Sequence, residues 1–524
     1  MMPLSLLPLS RYSFPLMHKL MSGTLAVSSG LLLALAFPKI NISILAWSAF
    51  LPLLWVIQNK TIRQAFGYGF LAGMGFYLST VYWVVHTIGL YSNIPPLIAV
   101  GPLVLMCMIL ASYTGLFTAG VCFAQQRGIA PFLVGPCLWV TLEWLRSFFF
   151  IGFPWVSLGY SQYPFLNLIQ FAEFTGVYGL SALVIFGNLV LFALLEQQHS
   201  HQWRLFLSAV LLITGLSLWG MWRRTQLAEL PPTRHLRVGL IQGNVPQDTK
   251  WNPDFQEETM ARYERLSRQA VDRGAELLIW PETAAPFFFQ SPQPPDATYR
   301  NRLLRLVLET RVPILFGSPA FRRHGMDIAL FNRAYLLSAD AEVLGSYDKI
   351  QLVPFGEYVP FHSVLFFLDK LVEGIGDFAA GTDTTVFALP HLKFSVLICY
   401  EGIFPALTRQ FVAQGAELLV NITNDAWFGR TSAPYQHLEM EAMRAVENRV
   451  PLVRSANTGF SAVVEIDGRI RRRTKLYEEA ILVEEISWPQ VTTFYTRYGD
   501  VFVWFCVVSA GLMLGYAKGR NKRT

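Results

Sequence analysis

Charge is what this chain has least of: Asp, Glu, Lys and Arg make up 15% of its 524 residues, where a soluble enzyme has about 25%. With 53% of residues hydrophobic, a wholly water-soluble protein is excluded and a membrane protein is implied. Cysteine is scarce too, at five residues. Cys107, Cys122, Cys137 and Cys506 lie inside long apolar stretches, so Cys399 stands alone in the polar part with no disulfide partner. The nine histidines are scattered without ligand spacing; no metal centre is expected, and no cofactor. The net charge of +6 arises from Lys and Arg in short loops and in the C-terminal tail, where membrane orientation puts them. No nucleic-acid partner is read from it.

The charge that exists is unevenly placed. Residues 1–222 hold few ionisable groups, whereas 234–486 have the mixed composition of a globular domain large enough for its own core. The expected division is a bundle of seven membrane helices over 1–222, a linker at 223–233, the globular domain at 234–486, and a final span with a basic tail over 487–524. A span needs about 20 apolar residues, and candidates lie near 22–38, 43–58, 66–88, 97–124, 131–150, 166–195, 205–222 and 499–516, about eight in all. The first has an alternative as a signal peptide, because Arg11 and Lys19 precede an apolar run ending Ala34-Leu35-Ala36. Retention is favoured, since the next apolar run follows within a few residues. With the N-terminus inside, Arg11, Lys19, Lys60, Arg63, Arg127, Arg204 and the basic tail all face the cytoplasm. Lys39, Arg223 and Arg224 are the exceptions, and 223–498 falls on the outer side.

The globular part opens with the strand-like run 236–242, closed by Gly243-Asn244. A helical segment from 254 to 273 stops at Gly274, and the strand 276–280, a helix near 297–310 and the strand 313–317 follow. Alternating strands and helices indicate an α/β domain. Gly274-Ala275-Glu276-Leu277-Leu278 recurs as Gly415-Ala416-Glu417-Leu418-Leu419, which suggests two similar halves. Residues 435–449 read as a helix and 450–470 as strands around the Asp467-Gly468 turn. The segment 358–378 combines Phe361, Val364, Leu365, Phe366, Phe367 and Leu368 with Gly374 and Gly376, the composition of an exposed apolar loop with hinges.

Cys399 ends the apolar run 394–398 and is followed by Tyr400-Glu401-Gly402. A lone buried cysteine reads first as a small hydrophobe; to be a nucleophile it needs a base or a nearby cation. Glu282, in Trp280-Pro281-Glu282-Thr283, directly follows a strand, where an apolar wall and a rigid proline would hold a basic carboxylate; a solvated turn glutamate is the alternative. Lys349 lies in Tyr347-Asp348-Lys349-Ile350-Gln351-Leu352-Val353-Pro354-Phe355-Gly356-Glu357, where a cation would stabilise a thiolate and an oxyanion and Glu357 would orient it. In the membrane part, Glu143 and Arg146 stand at i,i+3 spacing, and Glu173 is a further intramembrane charge. A structural ion pair is the favoured reading of Glu143 and Arg146, with headgroup binding as the other.

Trp-Pro-Glu, Asp-Lys-Ile-Gln-Leu-Val-Pro-Phe-Gly-Glu and Ile-Cys-Tyr-Glu, in this order, resemble the Glu-Lys-Cys triad of the nitrilase superfamily. With the membrane spans, and with Glu143-Trp144-Leu145-Arg146, the run 153–160, Gln242-Gly243-Asn244-Val245-Pro246-Gln247, Lys250-Trp251 and the run 424–429, the chain resembles the apolipoprotein N-acyltransferase family. That resemblance implies a polytopic α-helical membrane bundle joined to a nitrilase-like αββα sandwich. It implies a bacterial inner-membrane enzyme with its catalytic domain on the periplasmic side. The reaction it implies passes a fatty acyl chain from a membrane phospholipid, through a thioester on Cys399, to the α-amino group of the diacylglyceryl-cysteine of an apolipoprotein. Glu282 would be the general base, Lys349 and the Tyr400 N–H would hold the oxyanion, and Glu357 and Glu401 would fix the polar network. Trp251 and Trp427 would line the entrance, and Phe366 and Phe367 would dip into the bilayer as part of a lid over 358–378. The alternatives are a membrane-tethered nitrilase-type amidase acting on a small periplasmic amide, and a transporter or sensor. The spans lack the paired glycine-interrupted helices of a transporter.

Overall fold

The computed structural model describes residues 14–91, 95–149, 152–196, 202–247, 250, 252–324, 327–358 and 378–520. All eight apolar stretches contain helix, but they differ in reach. Among the described residues, Leu97–Gln126, Val177–Glu196, Gln202–Glu229 and Val501–Gly519 are each long and apolar enough to cross a membrane. Ile62–Thr80 and Trp83–Gly89 make a fifth if the pair, bent by 55°, is one span. Lys19–Ala34 and Ser43–Ile57 are apolar but shorter. The stretch 43–58 is a 3₁₀ turn, Ser43–Trp47, followed by a helix Leu51–Ile57 with Pro52 in its first turn.

One expectation needs correction. The stretch 166–195 is not one helix: short turns at Leu166–Ile169 and Ala172–Thr175 precede the helix Val177–Glu196. The break falls at Gly176, whose φ of 61° lies in the left-handed region that a helix interior does not use. The helix Gln202–Glu229 is continuous past residue 222. Its Arg223 pairs with Glu173 at 3.1 Å and Arg224 with Asp467 at 2.9 Å, so two of the three basic exceptions to the loop-charge pattern are neutralised by partners.

Residues from 234 onward fold as two six-stranded sheets. The strands are β1 Arg234–Gln242, β2 Leu277–Ile279, β3 Ile314–His324, β4 Asp327–Leu337, β5 Val343–Asp348, β6 Val386–Leu389, β7 Leu392–Ile398, β8 Leu418–Thr423, β9 Leu452–Ala456, β10 Ala462–Val464, β11 Ile470–Arg473 and β12 Ala480–Trp488. One sheet runs β12-β1-β2-β3-β4-β5 and the other β11-β10-β9-β8-β7-β6. The centres, β1-β2-β3 and β7-β8-β9, are parallel, and their apolar runs are buried on both faces, as parallel strands require. The repeated Gly-Ala-Glu-Leu-Leu marks equivalent places. Gly274 (φ 86°) and Gly415 (φ 102°) each close a helix, Pro253–Asp272 and Pro405–Ala413, and open β2 and β8.

The sheets face one another, and Ser455 Oγ on β9 donates to the Ile241 and Ile279 carbonyls of β1 and β2 at 3.2 and 2.9 Å. Helices Pro253–Asp272 and Asp296–Thr310 share an apolar core with the first sheet. Pro405–Ala413 and Ala433–Asn448 pack with the second. The result is an αββα sandwich.

The bundle and the sandwich interlock. Gln436 Oε1 accepts from Trp155 Nε1 at 2.7 Å and Trp83 Nε1 at 3.3 Å, while its amide donates to the Thr80 and Pro38 carbonyls. Arg449 reaches Glu173 at 2.7 Å, Arg444 reaches Tyr160 Oη at 2.9 Å, and Tyr163 Oη donates to Gly468 O at 2.7 Å. Within the bundle, Glu143 and Arg146 lie 4.0 Å apart and are buried. Glu143 accepts from Leu158 N at 2.6 Å, and Arg146 donates to Tyr77 Oη and to Trp155 O. The pair pins the irregular 152–158 segment to the helix Pro131–Arg146, a structural role.

Candidate active site

Three strand ends converge. Lys349 directly follows β5, Cys399 directly follows β7, and Glu282 lies three residues beyond β2. Non-glycine residues in the left-handed region mark the turns of the site: Thr283 next to Glu282 at φ 46°, Phe355 two residues before Glu357 at 61°, and Cys399 itself at 53°. Such conformations cost on the order of 1–3 kcal/mol and concentrate where a fold constrains functional groups. At Cys399 the turn lifts the chain off β7 into the 3₁₀ segment Cys399–Ile403. The Cys399 carbonyl accepts from Asn421 Nδ2 at 3.1 Å and lies 3.3 Å from His437 Nε2.

Glu282 is 6% exposed, behind a wall in which Trp280 is fully buried with its indole N–H donated to Ser267 Oγ at 2.9 Å. A solvated turn glutamate is thereby excluded. Its Oε1 accepts from Asn332 Nδ2 at 2.7 Å and from Lys349 Nζ at 3.4 Å, and its Oε2 from the Asn424 backbone N–H at 3.0 Å. Lys349 Nζ also donates to Glu357 at 2.9 Å, and Glu357 takes a second bond from Asn332 Nδ2 at 3.0 Å and a third from Val353 N at 2.8 Å. Burial opposes the charge on Lys349, but Glu357, Glu282 and Cys399 outweigh it and hold the ammonium above its ordinary pKa. Glu401 Oε1 accepts from Tyr347 Oη, Ile350 N and Gln351 N, and its Oε2 from Ile398 N. It therefore ties the chain before Cys399 to the chain after Lys349.

Burial pushes the Cys399 thiol well above its ordinary value; Glu282 adds to this and Lys349 pulls the other way. A thiol so raised stays protonated, and to react as a nucleophile it would need a base to take its proton. Lys250, which sequence reading saw only as part of a motif, is buried and donates to Glu282 O at 3.0 Å and to Thr283 Oγ1 at 2.5 Å. Burial depresses it to about 8, against the pull of Glu282. The two lysines around Glu282 thus differ: one is a permanent cation held by two carboxylates, the other braces the backbone.

Tyr400 Oη donates to Gly152 O at 3.1 Å and its ring stacks on Trp155, so this side chain faces the bundle. Trp427 lies in the turn Asp425–Phe428 that follows β8, and its carbonyl accepts from Thr87 Oγ1 of a membrane helix at 2.9 Å. Trp251, Phe366 and Phe367 lie outside the described residues, as does 359–377 of the expected lid. The ends of that segment are close to the site, because Phe378 N donates to Glu357 O at 2.9 Å. Among the described residues no group of His, Cys, Asp and Glu could hold a metal ion.

The sequence matches known proteins along nearly its whole length. Residues 29–190 match the apolipoprotein N-acyltransferase N-terminal domain, and 237–495 the carbon-nitrogen hydrolase family. An apolipoprotein N-acyltransferase from Geobacter metallireducens is 46% identical over 95% of this chain and 95% of its own. The chain belongs to the apolipoprotein N-acyltransferase family. Proteins of the same name from Nitrosomonas europaea (34% identity, 89% of this chain, 91% of the other) and Gloeobacter violaceus (34%, 95% and 94%) extend the match. A crystal structure of an amidase from Nesterenkonia sp. aligns with 51% of this chain and 95% of its own, at 22% identity and a TM-score of 0.38. As a member of the family the chain is an acyltransferase built on the carbon-nitrogen hydrolase fold, and the amidase reading is the less supported one.

Sequence reading missed Asn332 and His437. Asn332 sits mid-strand in β4, where a lone polar residue signals nothing by itself. His437 bonds Asp425 at 3.2 Å and Glu441 at 2.8 Å, and Arg454 bonds both carboxylates, a fully buried cluster beneath Cys399. Its members come from a turn, a helix and β9, and only His437 and Glu441, four apart on one helix, share a sequence spacing.

Proposed function

We propose that the chain transfers a fatty acyl group from a membrane phospholipid to the α-amino group of an apolipoprotein's N-terminal diacylglyceryl-cysteine, by way of a thioester on Cys399. Glu282 takes the thiol proton as sulfur attacks the ester carbonyl; the C–O bond breaks, and the lysophospholipid alkoxide leaves with that proton. The acceptor amine then attacks the thioester, Glu282 takes its proton, the C–S bond breaks and the thiol is restored. Lys349 and the Tyr400 N–H hold the oxyanion in both steps. Glu357 and Glu401 are positioning residues for Lys349 and the Cys399 turn. Trp427 with Trp251 would flank the entrance, and 358–378, with Phe366 and Phe367, would cover it from the bilayer.

The observation that carries this reading is the buried Glu282–Lys349–Glu357 network, joined through Asn332 and set beside Cys399. It is reinforced by the keying of the sandwich into apolar helices. An acyl chain leaves a bilayer at about 0.8 kcal/mol per CH₂ exposed, so the site has to stand at the membrane. The remaining parts of the reading are about eight spans, the bundle at 1–222 with a linker at 223–233, the catalytic domain at 234–486 on the periplasmic face, and the final span with the tail over 487–524. Intact-mass measurement of purified protein incubated with phospholipid tests the central claim. An acyl adduct on wild type, removed by hydroxylamine and absent from Cys399→Ala, is expected; an unmodified wild-type thiol would overturn the reading.

A further inference from the structure

The buried cluster beneath Cys399 takes no part in the proton transfers set out above, yet it stands against the peptide unit on which the oxyanion would depend. Asp425, His437, Glu441 and Arg454 are all buried. Nδ1 of His437 lies 3.2 Å from Asp425 Oδ1, and Nε2 lies 2.8 Å from Glu441 Oε1. A carboxylate at each ring nitrogen calls for a proton on both. Burial opposes that charge, but Glu441 and the bond to Asp425 outweigh it and hold the imidazolium above its ordinary pKa. Arg454 closes the cluster, 2.7 Å from Asp425 and 2.5 Å from Glu441. Two cations against two carboxylates leave the group neutral, as its burial requires.

Toward the nucleophile's turn the cluster presents an N–H. His437 Nε2 is 3.3 Å from the Cys399 carbonyl oxygen, and Asn421 Nδ2, from β8, donates to the same oxygen at 3.1 Å. Trp155 of the bundle lies against the His437 ring, with centres 5.5 Å apart. The turn is seated closely on the helix Ala433–Asn448 that carries His437 and Glu441: a methyl group at Gly402 would lie 2.6 Å from Glu441 Cγ. Cys399 itself holds a φ of 53°, a conformation that a residue with a side chain keeps only where its surroundings fix it. The peptide bond between Cys399 and Tyr400 is trans, and a planar trans unit directs its C=O and its N–H to opposite sides. Two donors on the Cys399 carbonyl therefore turn the Tyr400 N–H away from the cluster.

We propose that His437 and Asn421 are positioning residues for acyl transfer: they clamp the Cys399 carbonyl, so that the Tyr400 N–H is already aimed at the oxyanion when sulfur attacks. Asp425, Glu441 and Arg454 hold His437 in place behind the clamp. A charged donor on the carbonyl also polarises the peptide unit and strengthens its N–H as a donor. The clamp rests on the thioester reading above and adds what preorganises one of the two groups that meet the oxyanion.

Two reactions of Cys399 separate this role from general support of the site, both read on full-length protein in detergent. p-Nitrophenyl butyrate acylates the sulfur through an oxyanion and releases p-nitrophenolate; iodoacetamide alkylates it by displacement of iodide, with no oxyanion. His437→Leu/Glu441→Gln and His437→Gln/Glu441→Gln leave the same buried charge and differ in whether a side-chain amide can donate to the Cys399 carbonyl. Asn421→Val removes the other donor. The Leu pair and Asn421→Val should acylate about 10- to 100-fold more slowly than wild type, toward the loss caused by removing an oxyanion donor outright, with KM unchanged and alkylation at the wild-type rate. The Gln pair should recover most of the acylation. Equal loss of both reactions overturns the proposal, because it marks displacement of the thiol itself. So does wild-type acylation in the Leu pair, or a Gln pair no faster than the Leu pair. If the Leu pair does not fold, Asn421→Val carries the same comparison of the two reactions. Phospholipid supplied to wild type tests the acyl-transfer reading separately: if Cys399 stays unmodified that reading falls, while the ester and iodoacetamide rates still decide the clamp.

Discussion

Replacing Asn332 with Leu isolates the part of the site on which the acid–base chemistry depends. The Asn332 amide donates to Glu282 at 2.7 Å and to Glu357 at 3.0 Å, and its own backbone carbonyl accepts from Lys349 N at 2.9 Å. Leucine keeps that backbone bond and nearly the same volume but removes the donor shared by two buried carboxylates. A hydrogen bond to a charged group contributes about 1.5–3 kcal/mol, so losing both should lower stability by roughly 3–6 kcal/mol, with Lys349 left as the main neutralising group. At about 2–4 °C per kcal/mol for a domain of this size, melting should fall by roughly 6–24 °C. Single-turnover acylation should slow as the two carboxylates lose their common tether, and Asn332→Asp, which sets a third carboxylate between them, should be impaired further. Single-turnover acylation, with melts in detergent, reads these effects. An Asn332→Leu protein whose melting point and acylation rate coincide with wild type would refute the reasoning.

Other perturbations have equally definite signs. Burial raises Glu401, Glu439 and Glu447 each to about 7 from an ordinary 4.5. The folded protein therefore binds more protons than the unfolded chain between these values, and stability should fall as pH rises from about 4.5 through 7. Glu401→Gln should flatten that slope, and a melting point that climbs over this interval in wild type would contradict the assignment. A methyl group at Gly317 would lie 2.4 Å from Thr283 N and 2.9 Å from Glu282 Cα. Gly317→Ala should thus cost about 1–3 kcal/mol and slow acylation by at least about tenfold through the displaced carboxylate, while Gly67→Ala, with open space around it, should do neither. Equal acylation rates for Gly317→Ala and Gly67→Ala would show that Glu282 tolerates the shift.

The three converging positions were legible as strand ends, because Lys349 and Cys399 directly follow β5 and β7 and Glu282 stands three residues beyond β2, so an apolar run followed by a Glu, Lys or Cys identifies both the element and its mouth. The αββα halves were visible for the same reason, in the repeated glycine that closes a helix and opens a buried strand. What hydropathy could not show was where backbone departs from helix. The windows over 43–58 and 166–195 average across turns that Pro52 and Gly176 impose, so a run apolar enough for a span contains pieces too short to be one. The polar support was hidden because Asn332, Asn424 and His437 bond to partners far off in sequence, such as Asp425 12 residues from His437 and Glu282 50 and 142 residues from Asn332 and Asn424. A side chain whose role is fixed by such distant partners leaves no periodic trace.

Gln436 joins four groups of the membrane bundle from a helix of the sandwich, one residue before the His437 that underlies Cys399. The enzyme half and the anchor half are therefore one cooperative unit, not a catalyst on a tether. Cutting the chain near 234 would leave Trp83 and Trp155 without their acceptor on one piece, and an unpaired amide beside the nucleophile's turn on the other. Detergents or lipids that loosen the bundle should accordingly reach the reaction itself, and the bilayer acts here as part of the active-site scaffold.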